Sequence, residues 1–150
     1  AVRLAMQRHG LQDALVLNGD TLFRIDLGDF LRTPLPDDCS TRIALGRVED
    51  VRRYGRVVLD NQRRITVFGE KDRSGPGLIN GGIYLQRFAP RAGFGEQPFS
   101  FEADYLAGQA GARSMEGMPF DAYFIDIGVP EDLERAGREL IGDGNRPELS

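Results

Sequence analysis

The chain has 150 residues, 41% of them hydrophobic and 28% charged, with a net charge of −4 and one cysteine, Cys39. That is enough for one domain with a packed core. It argues against a nucleic-acid surface, since there is no Lys/Arg block, against a spanning helix, since no apolar run approaches about 18 residues, and against any internal disulfide or cysteine-based metal cluster.

No basic-then-apolar leader opens the chain and the cysteine is single, so a cytoplasmic setting is expected. The chain begins with Ala1 and enters helix-like sequence almost at once, which suggests a fragment or a processed product. Val2, Ala5, Met6 and His9 share one helical face, with Gly10 as the stop. A strand is predicted over 13–18 and a short helix over 26–32, with Asp26 as its cap. A Pro/Asp loop follows from Pro34 to Ser40. Strands are predicted over 41–48, 55–60, 64–70 and 78–86, with Asn61 and Gln62 turning the middle pair into a hairpin. Residues 71–77 and 90–98 read as loops rich in Gly and Pro. Ser100 reads as the cap of a short helix over 103–107, and two more strands are predicted over 113–116 and 122–126. The last helix opens at Pro130, with Glu131 and Asp132 in its first turn and Leu133, Ala136 and Leu140 on one face. Residues 142–150 read as a tail.

Two places combine a buried strand with a carboxylate at its end. Ala14-Leu15-Val16-Leu17 runs into Asn18-Gly19-Asp20, and Tyr123-Phe124-Ile125 runs into Asp126-Ile127-Gly128. Ligands of open α/β sheets bind outside the carboxyl ends of strands. Two aspartates delivered there could hold Mg²⁺, which takes one or two carboxylates together with waters and substrate phosphates. Each could equally close a turn.

Phe68-Gly69-Glu70-Lys71 ends a strand with a charge pair. Lys71 could face a phosphate and Glu70 a set of hydroxyls, or the two could be a solvated pair. Asn80-Gly81-Gly82-Ile83-Tyr84 places two glycines inside a strand, which signals either a bulge or a close approach by a ligand or another backbone. Arg53-Tyr54-Gly55 opens a strand with the same ambiguity at its glycine. His9 suits the end of its helix, where the dipole favours an imidazolium. Cys39 has no basic partner nearby in sequence, and no Gly-x-Ser-x-Gly elbow exists.

Taken in order, Leu17-Asn18-Gly19-Asp20-Thr21-Leu22-Phe23, Arg53-Tyr54-Gly55, Phe68-Gly69-Glu70-Lys71, Asn80-Gly81-Gly82-Ile83-Tyr84 and Asp126-Ile127-Gly128-Val129-Pro130-Glu131-Asp132 resemble the sugar-phosphate nucleotidylyltransferases. The first string and Phe99-Ser100-Phe101-Glu102 resemble the heptose 1-phosphate guanylyltransferase branch.

The resemblance implies a nucleotide-diphospho-sugar transferase-like, Rossmann-like α/β fold, a mixed sheet flanked by helices. It implies Asp20 and Asp126 as metal-binding and catalytic, with Mg²⁺ as cofactor, and Lys71 as a catalytic phosphate contact. Tyr54, Gly55, Glu70, Lys71, Asn80 and Gly81 would bind the sugar phosphate. Glu102 and Asp104 match a segment near the pocket without an assigned role.

Members of the family open with a strand and a Gly-x-Gly-x-Arg loop that cradles the triphosphate, and later carry a base-reading Gly-Thr-Gly-Gly segment. Neither occurs here. Residues 1–141 therefore match the C-terminal part of such a domain, without the leading strands. The reaction implied is NTP plus sugar 1-phosphate giving NDP-sugar and pyrophosphate, with GTP favoured and little or no activity in this chain alone. A second copy of the chain or a complementing N-terminal segment would cover the exposed sheet. The alternative is a non-catalytic sugar-nucleotide-binding or regulatory subunit. A metal-dependent glycosyltransferase would usually carry Asp-x-Asp, which is absent at both Asp20 and Asp126.

Overall fold

The computed structural model describes residue 5 and residues 8–70, 74–87 and 100–142. The expected helical positions at Val2 and Met6, the connection over 90–98 and all but the first residue of the tail lie outside the described residues. Ala5, Arg8 and His9 are helical, and Gly10, at φ +61°, ends the helix as its sequence signals.

The elements follow as β1 (Asp13–Leu17), β2 (Thr21–Phe23), α1 (Leu27–Leu31), β3 (Thr41–Val48), β4 (Arg56–Leu59), β5 (Ile65–Glu70), β6 (Gly77–Arg87), a π-helical turn (Phe101–Leu106) continued by α2 (Ala107–Gln109), β7 (Met115–Phe120), β8 (Phe124–Asp126) and α3 (Pro130–Gly142). Six strands form one mixed sheet in the order β5-β4-β6-β3-β7, with β1 also on β6. Among the described residues only β3 and β7 run parallel; every other pairing is antiparallel. β2 and β8 form a separate two-stranded sheet.

β3 lies between β6 and β7, and its alternation divides the core. Ile43 and Leu45 enter one cluster with Val57, Ile65, Tyr84, Leu106 and Met115, while Ala44 enters the other with Phe23, Phe30 and Ile83. The first six residues of β3 are all buried, as expected of a strand covered on both faces. Arg42 is among them. Its Nε donates to Glu116 Oε2 at 2.9 Å, Nη1 to the carbonyls of Phe30 (3.0 Å) and Thr33 (2.7 Å), and Nη2 to that of Pro34 (3.0 Å). This buried ion pair fastens the loop after α1 to the parallel β3–β7 pair.

Several predicted elements differ from those observed. β2 was not anticipated, because three residues are too few for a periodic signal. The strand predicted over 113–116 begins at Met115 and continues through Gly117 and Pro119 to Phe120. β7 is the last strand of its sheet, where proline is tolerated. The predicted β4–β5 hairpin forms, but Asp60 organises its turn: its Oδ1 accepts from the backbone N–H groups of Gln62 (2.8 Å) and Arg64 (2.9 Å). In α3, Ala136 is buried as its face predicts, but Leu133 is 56% exposed and Asp132 takes an inward position.

Candidate active site

The short β2–β8 ladder brings the two predicted aspartates together. Thr21 pairs with Asp126, and the backbone N–H of Ile127 donates to the carbonyl of Asp20 at 2.9 Å. Phe23 and Phe124 hold the ladder on the core through an edge-to-face contact of 5.7 Å. Thr21 Oγ1 donates to Asp20 Oδ1 at 3.3 Å, and the Gly128 N–H donates to Asp126 Oδ1 at 2.8 Å. Both carboxylates border the space beside Gly128. A Cβ there would stand 3.0 Å from Asp126 Oδ1 and 3.9 Å from Asp20 Oδ2. Glycine leaves that space free. Two hard oxygen donors beside a gap suit a hydrated Mg²⁺ completed by waters and phosphates. Among the described residues no third acidic, His or Cys side chain joins them.

Tyr54 and Gly55 lie beside this pair. The Tyr54 ring meets Phe124 of β8 edge-to-face at 5.4 Å, and burial pushes the Tyr54 hydroxyl pKa up. Gly55 sits at φ +82°, and a Cβ on it would come within 2.8 Å of the Gly69 backbone. The approach that demands glycine here is therefore between the Tyr54 loop and the Phe68-Gly69-Glu70 strand end. Arg53 was not singled out as a site residue. Its guanidinium pairs with Asp132 in the first turn of α3, donates to the Asp126 carbonyl at 3.4 Å, and lies over the Tyr54 ring at 5.1 Å. Burial opposes its charge, but the hydrogen bond to Asp132 prevails and holds the Arg53 pKa above the usual range. Arg53 thus ties the Tyr54 loop to the Asp126 loop.

On β6, Gly81 makes its close approach to a side chain: a Cβ would lie 2.4 Å from the Phe23 ring. Gly82, at φ +73°, packs against Asn18 and accepts from its backbone N–H at 2.8 Å. β3 shifts register between Ile43 and Leu45 opposite this point. The bulge reading of the paired glycines is the one the geometry supports.

Asn80 lies beside them with its amide engaged internally. Its Nδ2 donates to Tyr84 Oη (2.7 Å) and Glu102 Oε1 (3.1 Å), and its Oδ1 accepts from the Gly82 N–H (3.0 Å). Asn18 Nδ2 and Tyr84 Oη also donate to Glu102 Oε1, at 2.9 and 2.5 Å. Burial, then the charge and hydrogen bond of Glu102, drive the Tyr84 pKa far up, so the hydroxyl stays a donor. Asn18, Gly19, Asp20, Ser100, Phe101 and Glu102 line one open cleft of about 540 Å³. Asp104 does not enter it as a free group: its carboxylate accepts from the Ser100 N–H at 2.7 Å and closes the start of the π-helical turn.

The model of the nucleotidyl transferase family matches residues 1–141. The chain belongs to that family. It is 34% identical over 144 residues to a D-glycero-alpha-D-manno-heptose 1-phosphate guanylyltransferase of Aneurinibacillus thermoaerophilus, covering 93% of this chain and 61% of that protein. It is 41% identical over 121 residues to the enzyme of the same name from Campylobacter jejuni, covering 80% of this chain and 52% of that one. The crystal structure of HddC from Yersinia pseudotuberculosis superposes with a TM-score of 0.77 at 32% identity, over 93% of this chain and 60% of that one. HddC has also been solved in complex with GMP-PN. The mixed sheet with flanking helices is the fold of this neighbour. The chain spans between half and about three-fifths of the length of these relatives.

In this nucleotidyl transferase chain, Asp20, Asp126, Tyr54 and Gly55 are gathered around the β2–β8 ladder, and Asn80 and Gly81 lie on the adjoining β6. Glu70 ends β5 opposite Arg56, and Lys71 lies outside the described residues. Among the described residues no helix is long and apolar enough to cross a membrane. Sequence reasoning missed two organising residues. Arg53 directly precedes Tyr54 and could have been read as its charged neighbour. Glu102 stood in a matched segment, but its three donors come from β1's end and β6, which no local pattern links.

Proposed function

We propose that the chain carries the metal- and sugar-binding part of a sugar 1-phosphate nucleotidylyltransferase that uses an NTP, GTP favoured, and releases pyrophosphate. The observation that carries this reading is the pair of strand-end aspartates bordering the same glycine-lined space in a member of this family. The named guanylyltransferase relatives and the GMP-PN complex of HddC favour guanine as the base.

The nucleophile is an oxygen of the sugar phosphate, already ionised near neutral pH, so the reaction needs no general base. That oxygen bonds to the α-phosphorus, the bond to the β-phosphate bridging oxygen breaks, and pyrophosphate leaves with the electron pair. Catalysis then rests on positioning and charge neutralisation. Asp20 and Asp126 would hold Mg²⁺, which offsets charge on the α-phosphate. Lys71 would hold the attacking phosphate as a compact cation. Tyr54, Gly55, Glu70, Asn80 and Gly81 would frame the sugar. A further polypeptide segment would supply the triphosphate cradle, and that segment or a second copy of the chain would cover β1. The soluble substrates suit a cytoplasmic enzyme.

The test is formation of NDP-sugar from each NTP and a panel of sugar 1-phosphates by the protein joined to a triphosphate-binding segment. Product from GTP and a heptose or mannose 1-phosphate is expected. Asp20→Asn, Asp126→Asn and the double variant should each abolish turnover to the same extent, because both side chains serve one ion. Additive, partial losses would contradict the shared site.

A further inference from the structure

Glu102 is held in a way that turning a helix does not require. Three neutral donors from two distant segments, Asn18, Asn80 and Tyr84, converge on its Oε1. Among the described residues its Oε2 accepts no hydrogen bond, and no Lys or Arg pairs with the carboxylate. Glu102 lines the same cleft as Asp20. A carboxylate with one oxygen saturated is fixed in orientation, and its second oxygen is left as an acceptor of fixed direction.

We propose that Glu102 Oε2 receives a hydroxyl of the sugar 1-phosphate, with Asn80, Asn18 and Tyr84 as the residues that position it. This rests on the nucleotidylyltransferase reading above and assigns the sugar-selecting contact within it. The chemistry of the group restricts its ligand. An ionised carboxylate only accepts, so it repels phosphate oxygens and pairs with a donor. A sugar hydroxyl is the donor that this substrate class brings. The commitment of the Asn80 amide supports the same division of labour. Both of its Nδ2 hydrogens and one lone pair of its Oδ1 are already used within the protein. Asn80 acts on the sugar through Glu102. Sites that hydrogen-bond a substrate hydroxyl discriminate strongly against analogues lacking it, because the buried partner is left unpaired.

The test is calorimetric titration of the full chain and its variants, in Mg²⁺, with mannose 1-phosphate, its monodeoxy analogues and inorganic phosphate. Glu102→Gln keeps the size and an oxygen for the three donors but removes the charge. It should weaken mannose 1-phosphate roughly tenfold to a hundredfold and leave inorganic phosphate unchanged. The parent should bind one deoxy analogue as weakly as Glu102→Gln binds the full sugar, and the variant should no longer distinguish the two. Tyr84→Phe removes the hydrogen bond donated to Glu102 and the one accepted from Asn80 without touching Oε2, and should give a smaller loss confined to the sugar. Melting curves of both variants establish that they are folded. Equal weakening of mannose 1-phosphate and inorganic phosphate, no weakening of either, or a loss of Mn²⁺ affinity in place of sugar affinity would each overturn the assignment while leaving the nucleotidylyltransferase reading intact. Failure of the parent chain to bind any sugar 1-phosphate would overturn that reading, and this inference with it.

Discussion

Gly128→Ala is a small change placed at the point where the two aspartates meet. Gly128 does not have positive φ, so alanine meets no backbone strain. The added Cβ would stand 3.9 Å from Asp20 Oδ2, an ordinary contact, but only 3.0 Å from Asp126 Oδ1. Asp126 Oδ1 accepts from the Gly128 N–H at 2.8 Å, so the carboxylate can withdraw only by lengthening that bond. A hydrogen bond to a charged group contributes about 1.5–3 kcal/mol, and partial loss sets the local cost at roughly 1 kcal/mol. Alanine recovers about 0.4–1 kcal/mol by restricting the unfolded chain. Stability in the absence of metal should therefore change by less than about 1 kcal/mol. Divalent-cation affinity should fall roughly tenfold or more, since one ligand is displaced and the space for a bound water is taken. Mn²⁺ titration followed by electron paramagnetic resonance measures the affinity, and urea unfolding measures the stability. Unchanged Mn²⁺ affinity in a folded Gly128→Ala protein would refute the placement of an ion beside Gly128.

Two other perturbations test the expected phosphate contact of Lys71 and the buried clamp of Arg42. Lys71→Ala in the complete enzyme should raise KM for the sugar phosphate or lower its turnover by an amount equivalent to about 1.5–3 kcal/mol, with NTP use less affected; steady-state kinetics unchanged for the sugar phosphate would count against the phosphate contact. Arg42→Ala removes a cation that is 1% exposed and strands Glu116 together with the carbonyls of Phe30, Thr33 and Pro34. Breaking a buried pair costs about 3–5 kcal/mol; the remaining partner, Arg63, lies 3.6 Å from Glu116 and is largely exposed, so it compensates little. Urea unfolding that shows a loss below about 1 kcal/mol would mean that the clamp is not formed.

The strands with clear alternation or continuous apolar runs were legible in the sequence, and β1 and β3 through β6 lie within a residue or two of their predicted ranges. The aspartates were legible because each follows an apolar run. Their convergence on one site was expected from that shared strand-end context, but the ladder that joins them was not, because it depends on β2, a strand too short to declare itself. Arg42 and Arg53 were hidden for a related reason. An arginine reads as a solvated surface charge until its distant partner, Glu116 for the buried Arg42 and Asp132 for the exposed Arg53, is in place. Asp132 on the inner side of α3 shows the same effect, since the ion pair with Arg53 outweighs the pull of Leu133 toward the core. The paired glycines of β6 illustrate the converse. Their sequence signal was plain, but whether they made room for a ligand, a bulge or a side chain was decided by Phe23 and Asn18.

The most direct measurement is pyrophosphate release by the purified 150-residue chain supplied with GTP, Mg²⁺ and a heptose or mannose 1-phosphate, alone and then joined to an N-terminal segment carrying the glycine-rich loop. If the chain holds the metal and sugar contacts and the triphosphate cradle lies in another segment, the chain alone releases none and the joined protein turns over. Robust release by the chain alone, or none by a folded joined protein, would contradict the account.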